Sequence, residues 1–369
     1  MSAGSIILAG GGTGGHIAPG IAIAERLREV APSIALHFAC STRPIDAQML
    51  ETAGFPYSPI PAEGFSPRPA KLLRFARAFL AGRSVAHELL RAQDARCVIS
   101  LGGFVTAPVV HAARSLKVPV FLVNLDATPG KANRWVAKRA QRIWSACATP
   151  GCPTFATRIV GMPIRRIAIA SSDAESCRAQ LGLERGLHTL FVTGASQGAK
   201  SLNDLLMLML KQHRSAFSGW QVYHLVGGGE RNVVEAAYRE AGVHAVVSTF
   251  IDQIGLAWGA ADLALSRAGA NSVAEAVSNA VPTVFAPYPW HHDQHQKANA
   301  QPFVDQGLAR CEIDAIEADA NIRDLGRVLE SLMKDHPARE AMRTGLRALP
   351  QADAALEIAR TAAAIASGD

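Results

Sequence analysis

Short apolar segments that alternate with helical patterns constrain this chain most, because few folds accept that alternation. The first apolar segment precedes the helical pattern "GIAIAERLREV", and helical patterns also separate the later segments. This βαβ rhythm predicts a parallel sheet with helices packed on its faces. The segments of the first half are "SIILA" (5–9), "IALHFAC" (34–40), "CVISL" (97–101), "VPVFLV" (118–123) and "RIWSA" (142–146).

The same rhythm restarts after "VGMPIRR" (160–166), and 369 residues exceed what one hydrophobic core usually serves. We therefore expect an α/β protein with two doubly wound, Rossmann-like domains, at 1–162 and 163–340. A C-terminal helix in 341–369 is expected to return to the N-terminal domain. Ligands of such sheets bind beyond the carboxyl ends of the strands, which predicts a binding cleft where the two domains face each other.

Composition narrows the class of protein. The chain is 49% hydrophobic and 18% charged, as in ordinary globular proteins. Its net charge of +6 is compatible with an anionic partner such as a phosphate ligand or a membrane surface. The six cysteines form no CxxC pair, which favours reduced thiols over a disulfide framework or a zinc site. No segment approaches the roughly 18 apolar residues of a spanning helix, so any membrane contact is expected to be peripheral.

The glycine-rich segment "GGGTGGH" (10–16) lies between an apolar segment and a helical pattern. Backbone N–H groups and the positive end of a helix meet in such a turn, which favours binding of a phosphate or carboxylate. Gly10, Gly12 and Gly15 also fit G-x-G-x-x-G, but "FACSTRP" supplies no acidic partner for a ribose and no G-K-[ST] follows. A purely structural turn, or an NADP-binding oxidoreductase with Arg43 as phosphate partner, remains open.

Two further glycine turns, "SLGGF" and "TGASQGA", follow apolar segments in the two halves. Three such turns favour a diphosphate site over a purely architectural role. Together with "SRAGANSVAEAVSNAVPTVFAPYP" and "DQHQKANA", they resemble the motifs of the MurG family of bacterial N-acetylglucosaminyltransferases, in the same order, from about Ile6 to Ala359. The resemblance covers most of the chain.

The resemblance implies a GT-B glycosyltransferase that binds UDP-GlcNAc mainly in the C-terminal domain and a lipid acceptor in the N-terminal domain. It implies transfer of GlcNAc, with inversion, to the 4-hydroxyl of MurNAc in lipid I, at the cytoplasmic face of the inner membrane. It implies no cofactor, no metal and no nucleic acid. A GT-B transferase with another lipid or sugar acceptor, or a donor-binding relative with weakened activity, remains an alternative.

The resemblance also assigns the donor site. Glu275 matches the glutamate that binds the ribose hydroxyls, Arg165 a diphosphate-binding arginine, and His295 with Gln296 the pair that binds GlcNAc. The alternatives are a solvated helix glutamate at Glu275 and a surface charge at Arg165. For His295, the alternative is a metal cluster with His291 and Asp293. The implied donor-binding residues are Thr13, Gly14, Gly15, Arg165, Gly194, Ser196, Gln197, Gly198, Phe250, Ile251, Ala270, Asn271, Ser272, Glu275, His295 and Gln296.

His16 ends the first glycine turn and is the candidate general base, because imidazole titrates in the required range. Its alternative role is a hydrogen bond to the second glycine turn. The sequence departs from the family at "VNLD" (123–126), where the family usually reads "HEQN", and at Met162, where it reads asparagine. The residues expected on the acceptor side are Gly102, Gly103, Phe104, Asp126 and Asn133.

The segment Pro69–Arg83 places Leu72, Phe75, Ala76 and Phe79 at helical spacing, with Lys71, Arg74 and Arg77 along another strip. A surface helix packed on the core is one interpretation. The other is a basic amphipathic helix that binds an anionic membrane surface and brings the enzyme to its polyprenyl acceptor.

Overall fold

The computed structural model describes residues 4–12, 14–65, 68–155, 158–194, 198–228, 230–290 and 294–367. The chain divides into two compact units, Met1–Arg165 with Ala352–Asp369, and Arg166–Gln351. The first boundary lies three residues beyond the one expected at 162/163. The expected second boundary, at 340/341, falls inside a helix of the second unit.

The described residues of the first unit form a parallel six-stranded sheet in the order β3-β2-β1-β4-β5-β6. Its strands are β1 Ser5–Gly10, β2 Ala35–Cys40, β3 Tyr57–Pro59, β4 Ala95–Gly102, β5 Val120–Asn124 and β6 Arg142–Ser145. Its helices are α1 Gly14–Val30, α2 Pro44–Thr52, α3 Pro69–Ala92, α4 Thr106–Ser115 and α5 Lys131–Ala137.

Strand β1 is apolar at every side-chain position from Ile6 to Ala9 because both faces of the sheet are covered. Ile6 and Leu8 belong to the core beneath α1, whereas Ile7 and Ala9 belong to the core beneath α4. This explains why the sequence shows a continuous apolar run here instead of an alternating pattern.

The second unit repeats the plan, and its described residues form a parallel sheet in the order β12-β11-β10-β7-β8-β9. Its strands are β7 His188–Thr193, β8 Trp220–Leu225, β9 Ala245–Ser248, β10 Leu263–Ser266, β11 Thr283–Phe285 and β12 Arg310–Cys311. Its helices are α6 Ala174–Gln180, α7 Lys200–Gln212, α8 Arg231–Ala241, α9 Ile254–Ala260, α10 Ala270–Ser278, α11 His295–Asp305, α12 Ala318–Asn321, α13 Arg327–Lys334 and α14 His336–Arg347.

After α14 the chain returns to the first unit as α15, Ala354–Ser367. Ile358 and Ala359 are fully buried in the same core as Ile17 and Ile21 of α1. Arg26 of α1 donates to the Asp353 carboxylate over 2.8 Å, just before α15 begins. The C-terminal helix is therefore part of the first unit's core.

Both sheets have the doubly wound strand order. Successive strands are added toward one edge of the parallel sheet, and the later strands are then added on the other side of the first, toward the opposite edge. These switch points lie between β1 and β4 in the first unit and between β7 and β10 in the second. The expected α/β class with two Rossmann-like sheets is confirmed. Among the described residues, no helix combines the length and the apolar character that a membrane-spanning segment requires.

Candidate active site

The first two glycine turns meet at the switch point of the first unit, where Gly10 of β1 pairs with Gly102 of β4. Gly12 and Gly102 both have φ near +100°, a region that favours glycine. A Cβ on Gly12 would lie 2.6 Å from the Phe104 ring, and one on Gly102 would lie 2.9 Å from Oδ1 of Asn133. These glycines are thus required for the close packing of the two turns.

A buried carboxylate lies against the first glycine turn. Asp46 Oδ2 accepts hydrogen bonds from the N–H of Gly12 over 2.8 Å, from Ser41 N over 3.2 Å and from Ser41 Oγ over 2.6 Å. Arg43 donates to the Gly12 carbonyl, and its guanidinium lies 5.7 Å from the centroid of the Phe104 ring. The motif pattern did not single out Asp46, because the acidic partner in that pattern stands at the end of β2, whereas Asp46 lies in the first turn of α2.

His16 lies in the first turn of α1 and is half-buried against the second glycine turn. An ideal Cβ on Gly102 would be 3.2 Å from Nε2 of His16, and one on Gly103 would be 3.4 Å from Nδ1 and in contact with the Gly11 carbonyl. Burial lowers the pKa of His16, and the Asp126 and Asp46 carboxylates and a hydrogen bond to Gly11 oppose this shift only in part. A hydrogen bond to the Gly11 backbone that raises the pKa is one that the imidazole donates, so one ring nitrogen carries that proton and the other has the lone pair that a base requires.

In the segment 123–126, which differs from the usual family sequence, three of the four residues are buried and serve the packing of the first unit. Val123 and Leu125 are buried in the core, and Asn124 is fully buried at the end of β5. Asn124 Nδ2 donates to the Asp126 carbonyl over 2.9 Å and to Ser145 Oγ over 3.0 Å, while its Oδ1 accepts from Asn133 Nδ2 over 3.1 Å. Asp126 is the half-buried member of the segment, and its carboxylate acts electrostatically on His16.

In the second unit, the glycine turn after β7 again allows close approach of two backbones. Gly198 has φ +70°, and a Cβ there would lie 2.7 Å from the Val226 carbonyl. A Cβ on Gly194 would contact the backbone N of Ala199. Several expected site residues lie outside the described residues: Thr13, Ser196 and Gln197, as well as His291 and Asp293 of the metal alternative.

Helix α10 begins directly after β10, with Gly269 as its N-cap and Ala270 and Asn271 in its first turn. Ser272 and Glu275 are buried on this helix, and only 8% of Glu275 is exposed. Glu275 Oε2 accepts a hydrogen bond from Trp258 Nε1 over 3.1 Å. Glu275 is therefore a buried, oriented carboxylate and not a solvated helix glutamate.

The remaining donor candidates lie on loops and element ends of the chain. Phe250 is 60% exposed, so it is no core residue, whereas Ile251 packs partly against the core. The side-chain oxygen Oε1 of Gln296 accepts from the Tyr288 N–H over 2.9 Å, and His295 is the first residue of α11. Arg165 ends the first unit, and within the described chain its Nε is buried without a hydrogen-bond partner.

No group of three or more metal-ligating side chains occurs among the residues that the structure describes.

Residues 6–145 match the glycosyltransferase family 28 N-terminal domain, and residues 189–358 match the glycosyltransferase family 28 C-terminal domain. Curated relatives include proteins from Nocardioides sp., 36% identical over 82% of each chain, and from Geobacter sulfurreducens, 32% identical over 96% of each chain. Both are named UDP-N-acetylglucosamine--N-acetylmuramyl-(pentapeptide) pyrophosphoryl-undecaprenol N-acetylglucosamine transferase.

The chain belongs to this family, the MurG transferases. Among solved structures, MurG of Acinetobacter baumannii shares the fold with a TM-score of 0.71, at 22% identity over 97% of this chain and 99% of that one. The calicheamicin glycosyltransferase CalG4 shares it with a TM-score of 0.67, at 15% identity over 100% of this chain and 99% of that one. The expected family, GT-B fold and hexosyltransferase class are confirmed, and the oxidoreductase alternative is wrong.

Arg267 of the MurG-family motif "SRAGANS" forms a buried ion pair that the sequence did not reveal. Arg267 donates to the Asp314 carboxylate over 2.7 Å, to Ser201 Oγ over 2.9 Å and to the Ala286 carbonyl over 2.9 Å. Asp314 is fully buried and also accepts from Asn321 over 2.6 Å. Arg267 thereby connects the start of α7, the end of β11 and the loop before α12.

Proposed function

We propose that this protein transfers N-acetylglucosamine from UDP-GlcNAc to the 4-hydroxyl of the N-acetylmuramyl residue of a polyprenyl-pyrophosphoryl acceptor, lipid I. The observation that carries this proposal is that relatives named for this activity match up to 97% of the chain. The described site residues of both units agree with it in chemistry, since one unit offers a base and the other a buried carboxylate for a ribose.

The acceptor side uses His16. Its unprotonated ring nitrogen takes the proton of the acceptor hydroxyl while the hydroxyl oxygen forms a bond to C1 of GlcNAc. The bond from C1 to the diphosphate oxygen breaks on the opposite face, and UDP leaves with the electron pair. The carboxylates of Asp126 and Asp46 stabilise the imidazolium that results, which is consistent with their effect on the pKa of His16.

The donor side uses the second unit. Glu275 accepts hydrogen bonds from the ribose hydroxyls, and Ser272, the glycine turn at 194–198 and Arg165 bind the diphosphate. Backbone N–H groups and the N-terminus of α10 carry partial positive charge where the leaving group gains negative charge. Phe250 and Ile251 contact uracil, and His295 and Gln296 contact the sugar.

We further propose that the protein binds the cytoplasmic face of the inner membrane peripherally, through the first half of α3. Leu72, Leu73 and Leu80 are exposed there, Leu80 by 62%, next to exposed Lys71 and Arg77. Apolar side chains flanked by basic ones are typical of helices that lie at the surface of anionic bilayers. A polyprenyl acceptor cannot leave the bilayer, so this surface would bring the enzyme to its substrate.

Turnover of labelled UDP-GlcNAc with a lipid I analogue tests the reaction. We expect transfer with inversion, a loss of at least a hundredfold for His16→Ala, and unchanged transfer for the control His213→Ala, a residue paired with Glu330 on the second unit. UDP binding without transfer to any lipid-linked acceptor would instead establish the donor-binding alternative, which the changed segment 123–126 favours. Transfer to a different lipid or sugar only would overturn the choice of acceptor.

A further inference from the structure

We propose that Trp258 is a positioning residue for donor recognition, because it orients the Glu275 carboxylate toward the ribose. This inference rests on the proposed function, in which Glu275 binds the ribose hydroxyls. It adds a residue of α9 that makes no contact of its own with the nucleotide in this proposal and acts through Glu275.

The hydrogen bond between the two side chains lies in the interior of the second unit. Trp258 is 1% exposed, and its Nε1 donates to Glu275 Oε2 over 3.1 Å. A neutral N–H that donates to a carboxylate forms a charge-assisted bond, which is stronger than one between neutral groups. The bond therefore restrains the position of Oε2 and with it the orientation of the Glu275 carboxylate.

Packing fixes the indole ring itself. The Trp258 ring meets Phe191 of β7 edge to face, with centroids 4.8 Å apart and an angle of 89° between the ring planes. The C-terminal end of α10 is fixed as well, because Nδ2 of its C-cap residue Asn279 donates over 2.8 Å to the backbone carbonyls of Glu275 and Ala168. Both partners of the Trp258–Glu275 bond thus start from rigid positions, which is what an oriented acceptor requires.

The ribose presents two hydroxyl donors, and their recognition depends on the direction of the acceptor oxygens. Without the indole N–H, the buried carboxylate loses one partner and one restraint on its orientation. The consequence is specific: the preference for a ribose with hydroxyls should weaken, whereas contacts to uracil and diphosphate should not change.

The test compares the Kd of UDP with that of 2′,3′-dideoxy-UDP, which lacks both ribose hydroxyls. In the unaltered protein we expect UDP to bind at least tenfold more tightly. Trp258→Phe keeps an aromatic ring and deletes the N–H, so it should weaken UDP about threefold to tenfold and leave dideoxy-UDP unchanged. The ratio of the two Kd values does not depend on the folded fraction, so a partly unfolded variant still gives a decisive result.

Two further variants complete the experiment. Trp220→Phe alters another buried tryptophan of the same unit and should leave both Kd values unchanged. Glu275→Ala should abolish the preference for UDP, and Trp258→Phe should add nothing in that background. An equal loss of affinity for both nucleotides in Trp258→Phe, or an unchanged ratio, would overturn the positioning role. An unchanged ratio in Glu275→Ala would instead overturn the ribose assignment on which the proposal rests.

Discussion

At the scale of single residues, the charge of His16 is set by opposing effects. Burial lowers its pKa, whereas the carboxylates of Asp126 and Asp46 raise it, and burial prevails. A base with a lowered pKa is unprotonated at neutral pH, as proton abstraction requires. Asp126 is the residue of the segment 123–126 that affects this pKa, because its carboxylate acts on His16 whereas the other three residues are buried.

We predict that Asp126→Ala reduces kcat/KM for a lipid I analogue about tenfold or more, roughly 1.4 kcal/mol in the barrier. The Kd of UDP should stay the same. Since Asp126 raises the pKa of His16, its removal should also move the acid limb of the pH–rate profile to lower pH. Asp126→Asn, which keeps the size of the side chain, should behave similarly. An acid limb that does not move would show that Asp126 does not act on the base.

At the scale of elements, α3 is divided into two faces that periodicity had not separated. The sequence grouped Phe75 and Phe79 with Leu72 in one strip, but the two aromatic residues are half-buried. Phe79 meets His111 of α4 edge to face, with centroids 5.7 Å apart, and Phe75 lies 5.5 Å from Phe65. Core packing belongs to the second half of α3, where Ala86, Leu89 and Leu90 are buried, whereas Leu72, Leu73 and Leu80 are exposed.

We predict that replacing Leu72, Leu73 and Leu80 together by serine weakens binding to vesicles with anionic phospholipid by at least tenfold. Each leucine loses up to about 1.5–3 kcal/mol of favourable burial in the bilayer. Sedimentation with vesicles measures this, and binding should also fall with rising salt. Val233→Ser, an exposed apolar residue of α8, is the matched control. Equal sedimentation of the triple variant and the control would exclude this face of α3.

The Arg267–Asp314 pair joins several elements of the second unit, and its strength depends on pH. Burial alone would raise the pKa of Asp314, but hydrogen bonds from Ser201 and Asn321 and the charge of Arg267 outweigh it and lower the pKa. A carboxyl with a lowered folded-state pKa stabilises the fold above its unfolded pKa, about 3.9, and this contribution is lost as pH falls through the folded value.

We predict that Asp314→Asn destabilises the second unit by about 3–5 kcal/mol at neutral pH, because it leaves the Arg267 charge buried without its partner. Urea unfolding measures the loss, which should shrink as the pH falls below about 4. Asp204→Asn removes an exposed pair with Lys200 and should cost at most about 1 kcal/mol. Equal effects of the two variants would contradict the structural role of the buried pair.

At the scale of the whole molecule, the two units have the same doubly wound strand order and contain different candidate residues. The first contains the candidate base and the exposed face of α3, and the second contains the buried ribose-binding candidate. The C-terminal helix α15 belongs to the first unit although it follows the second in sequence. The stability of the first unit thus depends on residues from both ends of the chain.

We predict that Ile358→Ala, at a fully buried position of α15, destabilises the first unit by about 2–5 kcal/mol. UDP at 100 times its Kd should stabilise the second unit by about 2.7 kcal/mol. Calorimetry should therefore show one thermal transition that the substitution lowers and another that UDP raises. If Ile358→Ala lowered the midpoint of the UDP-sensitive transition as much as that of the other transition, the assignment of α15 to the first unit's core would be contradicted.

The sequence by itself determined the fold class, because strands buried on both faces must be apolar throughout and segments such as Ile6–Ala9 show this locally. It also determined the glycine turns, since positive φ and close backbone approach at Gly12 and Gly102 exclude side chains. The family followed from motifs that are continuous in the chain. Each of these features depends on residues that are neighbours in the sequence.

Only the tertiary structure decided which side chains meet. Asp46 reaches the N–H of Gly12 across 34 residues, and Trp258 reaches Glu275 across 17. It also decided that Val123 and Leu125 are core residues and that Asp126 lies close enough to act on His16. The physical reason is that periodicity reports the environment of one element, whereas such contacts depend on strand order and on how neighbouring elements pack, which no local pattern encodes.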